Sequence, residues 1–242
     1  MAEVSYCPSQ YCQGRPPGGR VTPAAYTRAA LEERMDDSDP KSPSIDGRRR
    51  RSEQTRQAII DSYLDLVRAN QAPPTAQDIA KRAGISTRSV FERFTDLLTL
   101  SLAVADYAFE QALAQAAVPN VDADFNTRLK AQVEVRAAIC EQWLPLWRTL
   151  LRYQSQSEEL SLRIKRIRAA MMSRIALVYG PELSMLPEPE RAQLLICLDI
   201  LTGLESWGRM REDHGLSTES ARDLWIKAIA RMLPASEASQ GH

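Results

Sequence analysis

The chain has 242 residues, of which 44% are apolar and 26% are charged, and its formal net charge at neutral pH is zero. This composition is typical of an ordinary soluble protein with one large domain or two small ones. The best apolar run, Leu97–Phe109, is interrupted by Asp106 and is shorter than the ~18–20 residues that cross a bilayer. The N-terminal residues have no signal-peptide pattern, so we expect a cytoplasmic protein without a membrane partner.

Residues 1–47 are predicted to be a disordered tail, because prolines and glycines interrupt every apolar pattern in them. Cys7 and Cys12 lie in this tail with no second cysteine pair and no nearby histidine, so no metal site is predicted there. Cys140 and Cys197 stand in apolar stretches and are predicted to be buried. Met35 is an alternative start of translation.

From residue 52 onward, apolar residues recur at helical spacing and no strand pattern occurs, which predicts an all-α fold. The first helix is predicted to run from Ser52 to Ala69, because Pro73 and Pro74 prevent its continuation. A long helix is predicted from about Asp96 to Gln115. Two short helices are predicted between these long ones.

Local hydrogen-bonding signals mark the ends of the two short helices. Thr75 and Asp78 have the spacing of a capping box at the start of the first one, and Gly84 supplies the positive φ that ends it. Ser86 is the predicted N-cap of the second one. A helix, a glycine turn and a capped helix are typical of a helix-turn-helix, whose second helix enters the major groove of DNA.

Polar residues of the second short helix are the candidates for contacts with DNA, namely Ser86, Thr87, Arg88, Ser89, Glu92 and Arg93. Arg88 can donate a pair of hydrogen bonds to guanine. Thr75 and Gln77 begin the preceding helix, whose N-terminal amides suit a backbone phosphate. Residues 48–100 hold ten basic and six acidic residues, whereas the parts on either side have an acidic excess. The basic part is the one that should approach a polyanion.

The stretch Arg56–Leu100 resembles the N-terminal domain of TetR-family transcriptional regulators. The matching residues are Arg56, Ile59, Ile60, Thr75, Ile79, Ala80, Ala83, Gly84, Ile85, Ser86, Val90, Phe91, Phe94 and Leu100. The resemblance implies a three-helix DNA-binding domain at 48–100 and a C-terminal helical domain at 101–242 that binds an effector and dimerises. It also implies that Thr87, Arg88 and Ser89 face the bases.

The chain departs from the family's pattern at three places. Phe91 stands where the family usually has tyrosine, so its ring can pack on a sugar but lacks the hydroxyl that bonds a phosphate. Leu97 replaces a common lysine, and Asn70–Pro74 replaces a turn of small residues. Arg48, Arg49, Arg50 and Arg51 are predicted to compensate as a basic arm that precedes the first helix and lies in the minor groove or along phosphates. A solvated run of charge is the alternative.

Beyond residue 100, cap and proline signals predict further helices at about Asp124–Gln154, Ser157–Gly180, Glu190–Glu212 and Ser217–Leu233. The resemblance implies that the last two pair with a second copy of the chain. Their apolar stripes favour the same homodimer, with an intramolecular core as the alternative. The predicted dimer interface consists of Leu194, Leu198, Leu201, Leu204, Trp225 and Ile229.

Aromatic and methionine side chains of the middle helices are the candidates for a pocket that encloses an apolar effector. They are Tyr107, Phe109, Trp143, Trp147, Tyr153, Met171 and Met172, each of which taken singly is more often a core residue. Pro145 is expected to kink its helix. The cations of the next helix are predicted to form a solvated face, with contact to an acidic ligand as the alternative; these are Arg163, Lys165, Arg166 and Arg168.

These patterns predict a ligand-responsive repressor that binds a palindromic operator on double-stranded DNA as a homodimer. It is expected to use no cofactor and to respond to a small, apolar effector. An enzyme is not predicted, because the sequence has no Gly-rich phosphate loop, no G-x-S-x-G motif and no metal-ligand cluster. A helical protein-interaction module with a degenerate helix-turn-helix is the remaining alternative.

Overall fold

The structure, a computed structural model, describes residues 45–70, 73–116 and 120–234. The predicted tail up to residue 44, with Cys7, Cys12 and Met35, lies outside the described residues. Residues 45–47, which the sequence assigns to the tail, belong to the first helix instead. All regular structure in the three described ranges is helical and no strand occurs in them, which confirms the predicted all-α class.

Ten α-helices make up the part of the chain that the structure describes. The N-terminal ones are α1 (Ile45–Asn70), α2 (Ala76–Ala83), α3 (Thr87–Arg93) and α4 (Leu97–Gln115). Two long helices follow, α5 (Phe125–Tyr153) and α6 (Glu158–Val178). The C-terminal ones are α7 (Gly180–Leu183), α8 (Glu188–Leu201), α9 (Leu204–Gly208) and α10 (Thr218–Met232).

Side chains at the helix starts fix most boundaries where the sequence predicts them. Each of four N-cap residues accepts a hydrogen bond from the backbone N–H three residues further along, which satisfies an amide that has no partner inside the helix. These residues are Asp96, Asp124, Ser157 and Ser217. The predicted starts of α4, α5, α6 and α10 are therefore confirmed.

The first helix is longer than the sequence predicts. Ser52 is not its N-cap, because α1 already begins at Ile45 and continues through Ser52 to Asn70. The helix buries an apolar stripe that consists of Ile59, Ile60, Tyr63, Leu64 and Val67. Since no proline precedes Ser52 closely, nothing in the local sequence stops the helix from extending by two more turns toward the N-terminus.

α5 is the central helix of the fold and packs against α1, α4, α6, α9 and α10. Its inward stripe repeats every three or four residues, as a buried helix face requires, and includes Leu129, Val133, Ala137, Cys140, Leu144 and Trp147. The helix continues through Pro145 without interruption. A buried ion pair between Arg128 and Glu182 fastens its first turn to α7, with an Nη2–Oε1 distance of 2.5 Å.

The predicted helix Glu190–Glu212 is divided in the structure. α8 ends at Leu201, Gly203 has extended backbone, and the chain restarts as α9 at Leu204. The carbonyl of Thr202, one of those left without an intrahelical partner, accepts a hydrogen bond of 2.8 Å from Nε of Arg136 on α5. A tertiary contact therefore stabilises the break, which falls at Gly203, a residue type that is common at helix ends.

Most of the predicted dimer interface is buried inside the single chain. Four of its residues are each 0–3% exposed, because α8 packs against α6 and α10, and α5 packs against α9 and α10; these residues are Leu198, Leu204, Trp225 and Ile229. The exposed apolar residues of the same helices are Ile196, Ile200 and Leu224, called the α8–α10 face below. Leu194 and Leu201 are half-buried. Cys140 is buried as predicted, but Cys197, beside Ile196, is exposed, contrary to the prediction.

One described helix, α4, is long and apolar enough to cross a membrane by length and composition alone. The sequence expectation counted only the run up to Phe109, whereas the helix continues to Gln115. Its Leu100 and Val104 are fully buried, and α4 packs against α1, α5 and α6. These contacts are those of a core helix.

Candidate DNA-binding surface and ligand cavity

The start of α2 is held by the predicted capping box. The amide of Asp78 donates to Oγ1 of Thr75 at 3.2 Å, and the amide and hydroxyl of Thr75 donate to Oδ2 of Asp78 at 3.3 and 2.6 Å. These bonds hold the pKa of the Asp78 carboxyl below its usual range. Thr75 and Gln77 are both exposed, so their side chains remain accessible at this helix start.

The turn between α2 and α3 depends on Gly84. This residue has a φ of 69°, in the left-handed region that favours glycine, and the amide of Ile85 bonds the carbonyl of Ala80 at 3.0 Å. Ser86 then caps α3 by accepting the amide of Ser89 at 3.1 Å. The predicted helix-turn-helix is thus formed by short-range bonds at both of its corners.

The outward face of α3 carries most of the residues predicted to meet DNA. Thr87, Arg88 and Arg93 are exposed, and the Phe91 ring is 46% exposed. Ser89 differs from this group, because it is half-buried and its hydroxyl lies 2.9 Å from Oγ of Ser86. Ser86 and Ser89 therefore support the turn, and the remaining polar residues of the predicted set are all exposed, namely Thr87, Arg88, Glu92 and Arg93.

Arg88 forms an ion pair with Glu92, which the sequence predicts on the same face of α3 but not as its partner. Its Nε donates to Oε1 of Glu92 at 2.9 Å, one helical turn further along, and this contact raises the Arg88 pKa above its ordinary value. The Arg88 side chain is nevertheless 87% exposed. Because the pair lies in solvent, a base edge can compete for the guanidinium at small cost.

Arg48, Arg49, Arg50 and Arg51 do not form an arm in front of the first helix, because they lie within α1 and all four are exposed. Consecutive residues of a helix point in directions about 100° apart, so the four cations surround the helix. Positive charge near a helix N-terminus opposes the helix dipole. A nearby polyanion would relieve that repulsion.

A cavity of about 300 Å³ lies between α4, α5 and α6. Four of the predicted pocket residues line it, namely Phe109, Trp143, Trp147 and Met171. The other three, Tyr107, Tyr153 and Met172, do not belong to its wall, and Tyr107 instead lines a shallow groove between α1 and α4. The remaining wall is largely apolar, with alanines of α4 opposite Ile139, Leu146 and Leu150 of α5.

No protein-family model and no curated protein sequence matches the chain. Solved structures do match it. A TetR-family transcriptional regulator from Streptomyces coelicolor superposes with a TM-score of 0.63 at 18% identity, over 74% of this chain and 80% of that one. A protein assigned to the same family from Rhodococcus sp. gives 0.60 at 21% identity, over 74% and 98%. A TetR-like transcriptional regulator from Rhodococcus sp. RHA1 gives 0.53 at 18% identity, over 75% and 94%.

The chain has the TetR-family fold. In this chain the helix-turn-helix of α2 and α3 lies in the N-terminal part, and the cavity lies between α4, α5 and α6. The resemblance of Arg56–Leu100 to this family is thereby confirmed at the level of fold. The superposition covers 74% of this chain in each of the two structures with the higher TM-scores above.

Two contacts connect α1, which packs against α2 of the helix-turn-helix, to the helices that form the cavity wall. The guanidinium of Arg68, near the end of α1, lies 5.8 Å from the ring centroid of Trp143 on the cavity wall. The hydroxyl of Tyr63 on α1 lies 3.1 Å from that of Ser101 on α4, which also borders the cavity. A ligand that displaced Trp143 or α4 would therefore act directly on α1.

Three polar residues of the cavity wall were not predicted from the sequence, namely Gln132, Arg136 and Arg174. Arg174 Nε donates to Oε1 of Gln132 at 2.8 Å, which joins α6 to α5. Gln132 and Arg136 share the α5 stripe with Ile139 and Trp143, at spacings of three and four residues. That spacing places Gln132 and Arg136 on the face of α5 that borders the cavity. Because charged and amide residues are usually exposed, their identity does not predict this position.

Proposed function

We propose that this chain is a DNA-binding transcriptional regulator that acts in the cytoplasm as a homodimer, and that it is not an enzyme. Two α3 helices, one from each copy, would enter successive major grooves of a palindromic operator roughly 34–36 Å apart. A ligand in the cavity would shift the dimer toward a form with a different separation of the two helices, so that the protein represses until the ligand binds.

The observation that supports this proposal most directly is the exposed polar face of α3. A helix that only packed in a core would not leave Thr87, Arg88 and Arg93 in solvent together with the Phe91 ring. The Gly84 turn and the Ser86 cap hold this face in one orientation. Arginine and hydroxyl side chains on such a face have the donors that base edges and phosphates accept.

The arginine cluster of α1, Arg48–Arg51, supports the same proposal through charge. Its four exposed guanidinium groups would neutralise phosphates and release counterions, which gives affinity without sequence preference. Phe91 and Leu97 each lack a polar group that the family usually supplies to the DNA backbone. We propose that the cluster replaces those contacts from the outer turns of α1.

The homodimer would form through the α8–α10 face. Ile196 and Ile200 are one helical turn apart on α8, and Ile200 is 68% exposed, far more than an apolar residue of a folded surface usually is. Leu224 is also exposed, on α10, which packs against α8. A second copy placed on this face by a two-fold axis would bury these residues on both chains.

The proposal is tested by retaining genomic DNA fragments of the source organism on the purified protein and sequencing them. We expect enrichment of a palindromic motif. Arg88→Ala should weaken binding roughly ten- to hundred-fold at one base position of each half-site, because it removes a pair of hydrogen bonds to one base. Glu92→Gln should strengthen binding, because it removes a negative charge and releases Arg88.

Lys165→Ala is the matched control, since it removes an exposed cation from α6, far along the chain from the helix-turn-helix. It should leave the enrichment unchanged. Equal weakening of all sequences by Arg88→Ala would assign this residue to a phosphate. Absence of any enrichment at low salt would contradict a DNA-binding function and favour the protein-interaction module, because phosphate contacts are strongest at low salt.

A further inference from the structure

The ligand cavity has a polar end and an apolar end. The contacts of Gln132 with Arg174 and of Arg136 with Met171 show that α5 and α6 run antiparallel along it. The α5 wall extends from Gln132 to Leu150, roughly 27 Å at ~1.5 Å per residue. Gln132, Arg136 and Arg174 therefore lie at one end of the cavity, and the Trp143–Leu150 portion of α5 lies toward the other.

Arg136 is a buried cation without a carboxylate partner. The residue is 8% exposed, its Nε donates to the carbonyl of Thr202 at 2.8 Å, and its Nη2 lies 3.2 Å from Sδ of Met171. The Thr202 contact accounts for the position of the side chain but uses one of five N–H donors, and a thioether is a weak acceptor. No ion pair of Arg136 occurs in the described ranges.

Another buried arginine of α5, Arg128, has a carboxylate partner. Its side chain is 4% exposed and faces Glu182, which is 1% exposed, through contacts of 2.5 and 3.1 Å. The carboxylate neutralises the guanidinium and accepts both branches of it. Arg136 lies two turns further along α5, also buried, and borders the cavity without any such partner.

The charges around Arg136 leave this end of the cavity positive. Arg174 is half-buried on the same wall, and its pKa is lowered by burial and by the charge of Arg136. Asp199 on α8, which interacts with the charge of Arg136, and the exposed Glu205 are acidic groups near this end, but neither lines this cavity. Burial raises the pKa of Asp199, so its negative charge is held less firmly than that of an exposed carboxylate.

The wall also contains two indole N–H groups that have no partner in the described part of the chain. Trp143 is 6% exposed and Trp147 is 4% exposed, and Nε1 of each is buried without a hydrogen bond. A buried donor without an acceptor is costly, and tryptophan usually finds one. An acceptor atom of a bound molecule that reached either group would remove this cost.

We propose that the cavity binds an amphipathic organic anion, with an acidic headgroup on Arg136 and an apolar body along Trp143, Leu146 and Leu150. The inference rests on the proposed function of a ligand-responsive regulator. The sequence predicts an apolar effector, whereas the cavity favours an apolar molecule that carries one negative charge. At about 300 Å³ the cavity is at the small end of the range for ligand pockets, which suits a short chain or a single ring system.

The test is isothermal titration calorimetry of the full chain, without DNA, with probes that share one alkyl chain and differ in headgroup. Decanoate and decyl sulfate are anionic, decanol is neutral, and decyltrimethylammonium is cationic. We expect at least one anion to bind roughly ten- to hundred-fold more tightly than decanol, as a charge-assisted hydrogen bond provides. Decyltrimethylammonium should bind more weakly than decanol. Comparison of the two anions shows whether a carboxylate is required or any negative headgroup suffices.

Arg136→Met should remove the preference for the anion and leave the affinity for decanol unchanged, which also shows that the cavity is still formed. Arg136→Lys should retain part of the preference, and Lys165→Met, which removes an exposed cation of α6, should retain all of it. Anions that bind no more tightly than decanol to the unmodified protein would overturn the proposal, even if Arg136→Met failed to fold. A preference that persists in folded Arg136→Met would also overturn it.

Because no DNA is present, this outcome is separate from that of the fragment-retention experiment. Tight binding of the anion with no retained DNA would contradict the proposed regulator and keep the ligand assignment. Retention of a palindromic motif with no preference for the anion would contradict only the ligand assignment.

Discussion

At the scale of single residues, short polar side chains decide where the helices begin. Asp96 is such a residue, because it accepts the amide of Thr99 at 2.7 Å in the first turn of α4. This bond, with a second one from the Thr99 side chain, lowers the pKa of the Asp96 carboxyl. The ionised form is thus favoured in the folded state relative to the unfolded chain.

A lowered pKa makes the contribution of Asp96 to stability depend on pH. It is fully present above about pH 4, where the carboxyl is ionised in both states, and is lost as the pH falls through the lower pKa of the folded state. Asn also caps helices but does not titrate. In urea unfolding between neutral pH and pH ~2, Asp96→Asn should therefore lose less free energy of unfolding than the unmodified protein.

Asp122→Asn is the control for this comparison, because it removes an exposed carboxylate that caps no helix. It should follow the unmodified protein. Identical acid dependence in Asp96→Asn and the unmodified protein would show that the cap has no part in acid unfolding.

At the scale of elements, the angle between α2 and α3 depends on one backbone conformation. Gly84 has a φ of 69°, and a Cβ built on it would meet no atom within 4 Å, so a side chain there meets strain but no clash. A Cβ built on Gly180 would also meet no atom within 4 Å, but Gly180 does not have a positive φ. The two glycines therefore separate the effect of backbone conformation from the effect of added volume.

Gly84→Ala should lower the free energy of unfolding by roughly 1–2 kcal/mol, the cost of a left-handed conformation for an L-residue. Gly84→Asn should cost less, since Asn tolerates this region. Gly180→Ala should have no cost or stabilise slightly, because alanine reduces the freedom of the unfolded chain. Chemical unfolding of the three variants is the measurement, and equal losses for both Gly→Ala changes would contradict the role of the positive φ.

At the scale of the whole molecule, the α8–α10 face is the exposed apolar surface that a second copy would cover. Leu198, the buried leucine of α8, is already packed inside the single chain, so we expect association to rely on the exposed Ile196, Ile200 and Leu224. A charge in the middle of that surface would have to be buried without a partner on dimerisation.

Ile200→Glu should therefore shift the protein from a dimer, twice the 27.1 kDa of one chain, to a monomer in sedimentation equilibrium. Leu162→Glu is the matched control, because Leu162 is 52% exposed on α6 and outside this face. It should remain dimeric. An unmodified protein that is monomeric at all concentrations, or a dimer that survives Ile200→Glu, would contradict the proposed interface.

Features that depend on bonds between near neighbours could be predicted from the sequence alone. The capping box of Thr75 and Asp78, the Gly84 turn and the Ser86 cap are all formed within three or four residues, so their patterns predict them directly. The all-α class follows from helical spacing in the same way. For the same reason the helix-turn-helix could be located before its structure was known.

The burial of individual residues and the identity of their neighbours depend on long-range packing and could not be predicted from the sequence. An apolar stripe such as that of α8 fits a core or a partner equally well, so the burial of Leu198 and the exposure of Ile200 follow from where α6 and α10 pack. Charged residues are usually exposed, so the enclosure of Arg136 could not be expected from its identity. It follows from the position of α5 between α6 and the end of α8, where long-range packing outweighs local preference.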